Sequence, residues 1–323
     1  MDIVSVANLK KCYGDFTAVD SISFAIKRGE IFGFLGPNGA GKTSTLNMMI
    51  GLSRPTEGGI VIDGLDAVRH TKKTQALMGV VPDESNLYDE MDGFDNLCFC
   101  ASLYGMRKND REPKARELLR QFRLDGAGQR PFRAYSKGMR RKLTIAAALI
   151  HSPRILFLDE PTTGIDVESA RQIRELILDL KRQGTSVFIT THYIEDAERI
   201  CDRIAFIAGG RIVATGSVPE LMSDVSRGHA LQLVAENDVG SLASDLQSRF
   251  AGSKVQLRED RSLVMVSDRR IPLFPVMQYF DEKGIAVYEA KELHPSLEDV
   301  FVKITGIESD KLRKEKEKAG ANK

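Results

Sequence analysis

Short apolar runs alternate with segments of helical periodicity along this chain up to about residue 216. Ile22, Phe24 and Ile26 alternate with polar or small residues, a pattern that predicts a half-buried strand. Apolar runs predict further strands at 59–62, 78–81, 154–158, 187–190 and 204–208. Helical periodicity predicts helices at 115–122, 143–150 and 168–182. This alternation indicates an α/β fold on a mostly parallel sheet, with a strand-poor helical subdomain inserted at 86–150.

The pattern changes after Gly216. Strands are predicted at 230–235, 255–258, 263–266 and 285–290, and a helix carries Leu242, Leu246 and Phe250 on one face. A second helix begins near Pro272 and Pro275, and a last one follows Pro295 and carries Leu297, Val300, Phe301 and Ile304. We therefore expect a main domain at 1–217, a small α+β ferredoxin-like domain at 218–308 and a charged, solvated tail at 309–323.

Composition narrows the class of protein. Lys and Arg number 46 against 45 Asp and Glu, so net charge does not favour nucleic-acid binding. The four cysteines, Cys12, Cys98, Cys100 and Cys201, form no C-x-x-C pair, which indicates free thiols in a reducing compartment. No signal peptide is expected at the N-terminus, and no apolar run approaches the roughly 18 residues that cross a bilayer. We expect a soluble chain that can still dock on a membrane protein.

A glycine-rich run fits the phosphate-binding loop pattern G-x-x-x-x-G-K-[ST], and it comprises Gly36, Pro37, Asn38, Gly39, Ala40, Gly41, Lys42 and Thr43, followed by Ser44. An apolar strand candidate at 31–35 precedes the run and a helix candidate at 45–50 follows it. A glycine-rich turn in this position directs backbone N–H groups at phosphate oxygens. Lys42 would reach the β- and γ-phosphates, and the Thr43 hydroxyl would bind Mg²⁺.

Two carboxylates end another apolar strand, at Asp159 and Glu160. The carboxyl end of a parallel strand lies at the edge of the sheet from which the phosphate loop also emerges. Asp159 would then hold Mg²⁺ through a water, and Glu160 would polarise the water that attacks the γ-phosphate.

With these motifs in this order, the first 216 residues resemble the ATP-binding subunit of an ABC transporter, which has a P-loop NTPase core. The resemblance implies that Tyr13 stacks on adenine and that His192 touches the γ-phosphate. Ser136 and Gly138 match the family's signature loop in a variant form. Asp166 ends a loop, 163–166, that resembles the one crossing the family's dimer interface.

The chain departs from the family pattern at several positions. Asp83 stands where the family usually has a glutamine that contacts Mg²⁺, and a carboxylate remains a suitable ligand for this ion. Lys137 replaces a glycine and Met139 a glutamine in the signature, and basic residues follow at 140–142. These charges are either solvated surface groups or an added positive field that faces the triphosphate across a dimer.

The resemblance also implies partners. Two copies would face each other head to tail, each ATP held by the phosphate loop of one and the signature of the other. The homodimer would sit on separate ABC-2 type permease subunits at the cytoplasmic face of the membrane and power efflux of a drug, antibiotic or ion. Tyr88, Met91 and Phe94 either line the groove for a permease helix or pack the helical subdomain.

Two other classes of the superfamily remain as alternatives. ABC ATPases that act on ribosomes usually carry two ATP-binding units, and this chain has one phosphate loop. Chromosome and DNA-repair ATPases place a long coiled coil between the phosphate loop and the second acidic motif, and no sustained heptads occur here. We therefore expect no nucleic-acid partner.

Overall fold

The structure is a computed structural model that describes residues 1–223, 229–236, 242–258, 262–293 and 296–306. Met1–Val218 forms the body of one compact unit and Pro219–Lys303 forms a second. The predicted tail at 309–323 and the helix start at Pro295 lie outside the described residues. No helix in the described ranges combines the length and apolarity needed to cross a bilayer.

The first unit contains ten strands and seven α-helices. Its strands are β1 (Asp2–Tyr13), β2 (Phe16–Lys27), β3 (Ile31–Leu35), β4 (Glu57–Ile62), β5 (Leu65–Asp66), β6 (Met78–Val81), β7 (Ile155–Asp159), β8 (Ser186–Thr191), β9 (Arg203–Ala208) and β10 (Arg211–Ser217). Its helices are α1 (Lys42–Met49), α2 (Thr71–Gln75), α3 (Gly93–Leu103), α4 (Lys108–Gln121), α5 (Lys137–Leu149), α6 (Val167–Arg182) and α7 (Ile194–Ile200).

The main sheet has the strand order β10-β9-β3-β8-β7-β6. All neighbours pair in parallel except β10, which pairs antiparallel with β9. Every residue of β3, β7 and β8 is buried, as expected for parallel strands covered on both faces. The predicted α/β fold is confirmed.

The predicted strands at 22–26 and 59–62 do not join that sheet. They belong to β2 and β4 of a separate antiparallel sheet with the order β2-β1-β4-β5. Their side chains are buried on one face and partly exposed on the other, a pattern typical of an antiparallel sheet with one solvent-exposed face.

Alternate residues of the parallel strands enter two cores. Phe32, Phe157 and Phe188 pack with side chains of the antiparallel sheet. Leu156 and Val187 face the other way and pack against the helical side of the unit. Since side chains alternate along a strand, one sheet supports both cores.

The predicted helical subdomain corresponds to α3, α4 and α5, which lie between β6 and β7 in the chain. Asp92 caps α3 by accepting from the backbone N–H of Asp95 at 2.7 Å. Ser136 caps α5 in the same manner through the N–H of Met139 at 3.3 Å. The caps explain why helices begin at these residues.

Helix α8 spans Val218–Ser223, and all of it but Val218 belongs to the second unit. The order that follows is β11 (His229–Ala235), α9 (Ala243–Arg249), β12 (Ser253–Leu257), β13 (Leu263–Ser267), α10 (Leu273–Glu282) and β14 (Val287–Leu293). A final helix, α11, spans Leu297–Thr305. The antiparallel sheet has the order β12-β13-β11-β14, and this βαββαβ arrangement is the predicted ferredoxin-like fold. Its core includes Leu231, Leu246 and Phe280.

Candidate nucleotide-binding site

The phosphate loop connects β3 to α1, as the sequence predicts. Gly39 and Gly41 adopt positive φ values of 78° and 106°, a region that favours glycine. A Cβ at Gly36 would lie 2.2 Å from the carbonyl oxygen of Ile207, and one at Gly41 would lie 2.6 Å from that of Ala18. The glycines therefore allow the loop to lie close to the neighbouring backbone.

Lys42 is buried inside this loop, with 6% of its side chain exposed. Its Nζ donates to the carbonyl oxygen of Gly36 at 2.7 Å and to that of Pro37 at 3.3 Å. The same atom lies 3.5 Å from Oε1 of Glu160. The ammonium group is therefore held between the loop and the carboxylate.

A cleft of about 340 Å³ opens beside the loop. It is lined by Tyr13, Phe16, Ala18, Pro37, Asn38, Gly39, Gly41, Lys42, Thr43, Ser44, Asp83, Asp159 and Glu160. Most of the site residues predicted from the sequence thus come together. Gly36 and Ala40 do not line the cleft, and Ala40 is buried in the adjoining core. Phe16, which is 65% exposed, is an aromatic neighbour of Tyr13 that the sequence reasoning did not single out.

Asp159 and Glu160 stand at the end of β7. Oδ1 of Asp159 accepts a hydrogen bond from the Thr190 hydroxyl on β8. Glu160 has a φ of 47°, and its Oε2 accepts from the Thr163 hydroxyl at 3.2 Å. Nδ1 of His192 lies 2.9 Å from the same oxygen, off the line of a well-directed hydrogen bond. His192 therefore reaches the site through Glu160.

The two carboxylates differ in environment. Burial raises the pKa of Asp159, the Thr190 hydrogen bond opposes this, and the charge of Glu160 raises it further. Burial also raises the pKa of Glu160, but His192, Lys42 and Thr163 together lower it below its ordinary value. Glu160 is therefore kept ionised, as a general base must be.

Asp83 follows β6 and faces the cleft with about half of its side chain exposed. Arg141 of α5 lies behind it, with Nη2 3.6 Å from Oδ1 of Asp83. Burial raises the pKa of Asp83, Arg141 opposes this, and the charges of Asp159 and Glu160 raise it further. No local pattern in the sequence indicates Arg141, because it lies 58 positions from Asp83.

The oxygen donors of the cleft suit Mg²⁺. The Thr43 hydroxyl and the carboxylates of Asp83 and Asp159 line the same space and are hard ligands. In the described ranges, no group of three or more His, Cys, Asp and Glu is arranged to hold a metal ion alone. An ion held by Thr43 and one or two carboxylates, completed by phosphate oxygens, fits the usual Mg²⁺ arrangement in nucleotide sites.

Besides Gly36, Ala40 and His192, which belong to or adjoin the site, three further predicted site residues do not line the cleft of their own chain: Ser136, Gly138 and Asp166. Ser136 caps α5, and Asp166 caps α6 by accepting from the N–H of Ser169 at 2.9 Å. A Cβ on Gly138 would lie 2.3 Å from Oγ of Ser169, so α5 and α6 approach closely there. A contact of these residues with nucleotide would have to come from another copy of the chain.

Basic side chains at the start of α5 make hydrogen bonds within their own chain. Arg140 donates to the carbonyl oxygens of Arg133 at 2.8 Å and Tyr135 at 3.3 Å. Lys142 donates to Oε1 of Gln172 at 2.5 Å. These contacts support the first interpretation, surface charge with structural partners, for Arg140 and Lys142.

The chain is similar to several known ATP-binding proteins. The family model described as ABC transporter matches residues 19–163. The linearmycin resistance ATP-binding protein LnrL of Bacillus subtilis (strain 168) is 38% identical over 306 residues, which cover 94% of this chain and 98% of the relative. The daunorubicin resistance ATP-binding protein DrrA3 of Streptomyces coeruleorubidus is 34% identical and covers 94% of this chain and 96% of its own. The Nod factor export ATP-binding protein I of Ralstonia nicotianae is also 34% identical, covering 95% and 94%.

Solved structures have the same fold. An ATP-binding subunit of an ABC transporter matches with a TM-score of 0.63 at 29% identity, over 69% of this chain and 93% of that chain. A dimeric post-hydrolysis state of an ATP-binding cassette bound to ADP and Pi matches with a TM-score of 0.61 at 26% identity, over 67% and 98%. Similarity to the curated relatives extends over nearly the whole chain. The chain therefore belongs to the ABC transporter family and is one of its ATP-binding subunits, an ATPase.

Proposed function

We propose that this ATPase powers an ABC-2 type exporter by Mg²⁺-dependent, ATP-driven closure of a homodimer. One observation carries the proposal: Lys42, Thr43 and Glu160 share a cleft that Ser136 and Gly138 of the same chain do not line. The signature loop of the same chain would leave one side of a nucleotide in that cleft uncovered. A second copy of the chain, facing head to tail, would cover that side with its own signature loop.

The residues of the cleft would have different roles in binding and hydrolysing ATP. Lys42 exchanges the carbonyl oxygens of Gly36 and Pro37 for the β- and γ-phosphates, which offer stronger, charge-assisted hydrogen bonds. Glu160 then takes the proton of the attacking water, and His192 orients Glu160 and contacts the γ-phosphate. Mg²⁺ bound by Thr43, Asp159 and Asp83 would neutralise phosphate charge.

The γ-phosphate favours the closed dimer because it can be held by Lys42 and His192 of one copy and Ser136 of the other. Loss of that phosphate on hydrolysis removes the contacts that distinguish the closed state, and the dimer opens. Asp166, at the start of α6, would lie along this interface. Tyr13, 51% exposed at the rim of the cleft, would stack on adenine.

The opening motion would reach the membrane through a permease helix. Tyr88 is 55% exposed and meets Phe99 edge to face at 5.1 Å, whereas the Phe94 ring is covered by Arg116 at 4.8 Å. Tyr88 is therefore the better candidate for a permease contact, and Phe94 serves the packing of the subdomain. The chain would act at the cytoplasmic face of the membrane, bound to separate permease subunits.

The relatives named for daunorubicin resistance, linearmycin resistance and Nod factor export support the efflux of a drug, an antibiotic or a similar compound. The test is affinity purification of the full chain from membranes, together with efflux assays in a deletion strain. We expect a copurifying protein with about six apolar spans of roughly 20 residues each and loss of export. Copurification with ribosomes, or hydrolysis stimulated by DNA, would favour the soluble ABC ATPase alternative.

A further inference from the structure

Arg141 lies buried beneath the segment that carries Asp83, with 6% of its side chain exposed. Its Nη1 donates to the carbonyl oxygen of Pro82 at 2.6 Å, and its Nη2 donates to the carbonyl oxygen of Asp83. Nη2 also lies 3.6 Å from Oδ1 of Asp83. One guanidinium therefore holds the backbone of this segment and faces its carboxylate, as the planar fork of arginine allows.

Two further contacts join α5 to the end of β6. The Thr144 hydroxyl lies 3.1 Å from Oγ of Ser85, within hydrogen-bond distance. A Cβ on Gly79 would lie 2.4 Å from the carbonyl oxygen of Ala148, so the strand and the helix touch through their backbones. The position of Asp83 is therefore fixed by α5, the helix that begins at Ser136.

Arg141 also lies close to the negative charges of the cleft. Asp83, Asp159 and Glu160 line one cleft with Lys42, and a triphosphate must enter this space. The charge of Arg141 interacts with all three carboxylates. A glutamine in place of Asp83 would leave one negative charge fewer to offset. Without Arg141, Asp83 would repel the phosphates across a partly buried, weakly screened site.

We propose that Arg141 is a positioning residue that acts through Asp83: it fixes the segment 82–85 against α5 and offsets the extra negative charge of the aspartate, so that the cleft accepts a triphosphate. The pair would take the place of the neutral glutamine that the family resemblance implies at position 83. This inference rests on ATP hydrolysis at the proposed site.

A double-mutant cycle tests the pairing in the full chain. Arg141→Gln, Asp83→Gln and the double variant are compared with wild type for kcat and for KM of MgATP. In the wild-type background, we expect Arg141→Gln to raise the KM for MgATP about tenfold. In the Asp83→Gln background, the same substitution should raise KM no more than about threefold, because residues in contact are energetically coupled. Arg140→Gln removes a neighbouring charge that does not contact Asp83 and should change KM by the same factor in both backgrounds.

Binding of a fluorescent ATP analogue gives a readout independent of turnover, and it should follow the same pattern as KM. Arg141→Lys keeps the charge without the fork and should weaken binding less than Arg141→Gln does. Should Arg141→Gln fail to fold, the cycle is repeated with Arg141→Met, which also removes the charge and is read by the same criterion. An effect of the Arg141 substitution that is equal within about twofold in both backgrounds would overturn the charge-offset role. Failure of the proposed function would look different, because wild type itself would then not hydrolyse ATP.

Discussion

Oε2 of Glu160 lies 2.9 Å from Nδ1 of His192 and accepts from the backbone N–H of His192 at 3.4 Å. The other carboxylate oxygen lies 3.5 Å from Nζ of Lys42. Glu160 is thus held between a histidine and a lysine. In the proposed mechanism, binding of phosphate would draw Lys42 away and free one side of the carboxylate for the attacking water, while His192 would still fix the other side.

Lys42→Ala should abolish most nucleotide binding. The substitution removes hydrogen bonds between the ammonium group and phosphate, and charged hydrogen bonds of this type each contribute about 1.5–3 kcal/mol, so affinity for ATP should fall at least about tenfold. Calorimetric titration with ATP measures this. Lys73→Ala, which removes an exposed lysine on α2, is the matched control. Equal affinity of Lys42→Ala and the control for ATP would contradict binding of the phosphates by this loop.

Gly79→Ala should destabilise the first unit. The new Cβ would lie 2.4 Å from the carbonyl oxygen of Ala148, and overpacking of this kind costs about 1–3 kcal/mol. Gly59→Ala introduces the same methyl group on β4, where nothing lies within 4 Å, and should change stability by less than about 0.5 kcal/mol. Denaturant unfolding of both variants provides the comparison. Similar stability of the two variants would contradict the close packing of β6 on α5.

Asp63→Asn should change the pH dependence of stability. Hydrogen bonding to Arg28 lowers the pKa of Asp63 below its ordinary value of 3.8, burial opposes this, and Arg154 adds to the lowering. A lowered pKa contributes stability that is complete above the unfolded-state value and is lost as pH falls through the folded-state value. Wild type should therefore exceed Asp63→Asn in unfolding free energy at pH 5–7, and the difference should vanish in stronger acid. A difference that is constant with pH would exclude this ion pair as its source.

The motifs were predictable because each joins a local pattern to a local structure. The phosphate loop lies between a buried strand and a helix, and the run that ends in Asp159 and Glu160 is a buried strand followed by charge. The ferredoxin-like unit was predictable for the same reason, since its periodicities appear in order along the chain.

Relationships between distant segments were not predictable. Strand periodicity alone does not say which sheet a strand joins, and nothing local in the sequence indicates that β2 and β4 both pair with β1 outside the parallel sheet. The buried contact between Arg141 and Asp83 joins residues 58 positions apart, and Arg141 reads in the sequence as one of several basic residues. Only the packing of α5 against β6 distinguishes it.

The most direct test of the central claim is the mass of Glu160→Gln in solution with MgATP, measured by light scattering beside its rate of phosphate release. The substitution removes the proposed general base but keeps the shape of the cleft, so hydrolysis should fall at least about a hundredfold. The ATP-bound dimer should then accumulate and give twice the mass of one chain. The control is Glu198→Gln, which changes an exposed residue on α7 and should behave as wild type. A monomer at saturating MgATP, or hydrolysis near the wild-type rate, would contradict the account of a shared site closed by ATP and opened through Glu160.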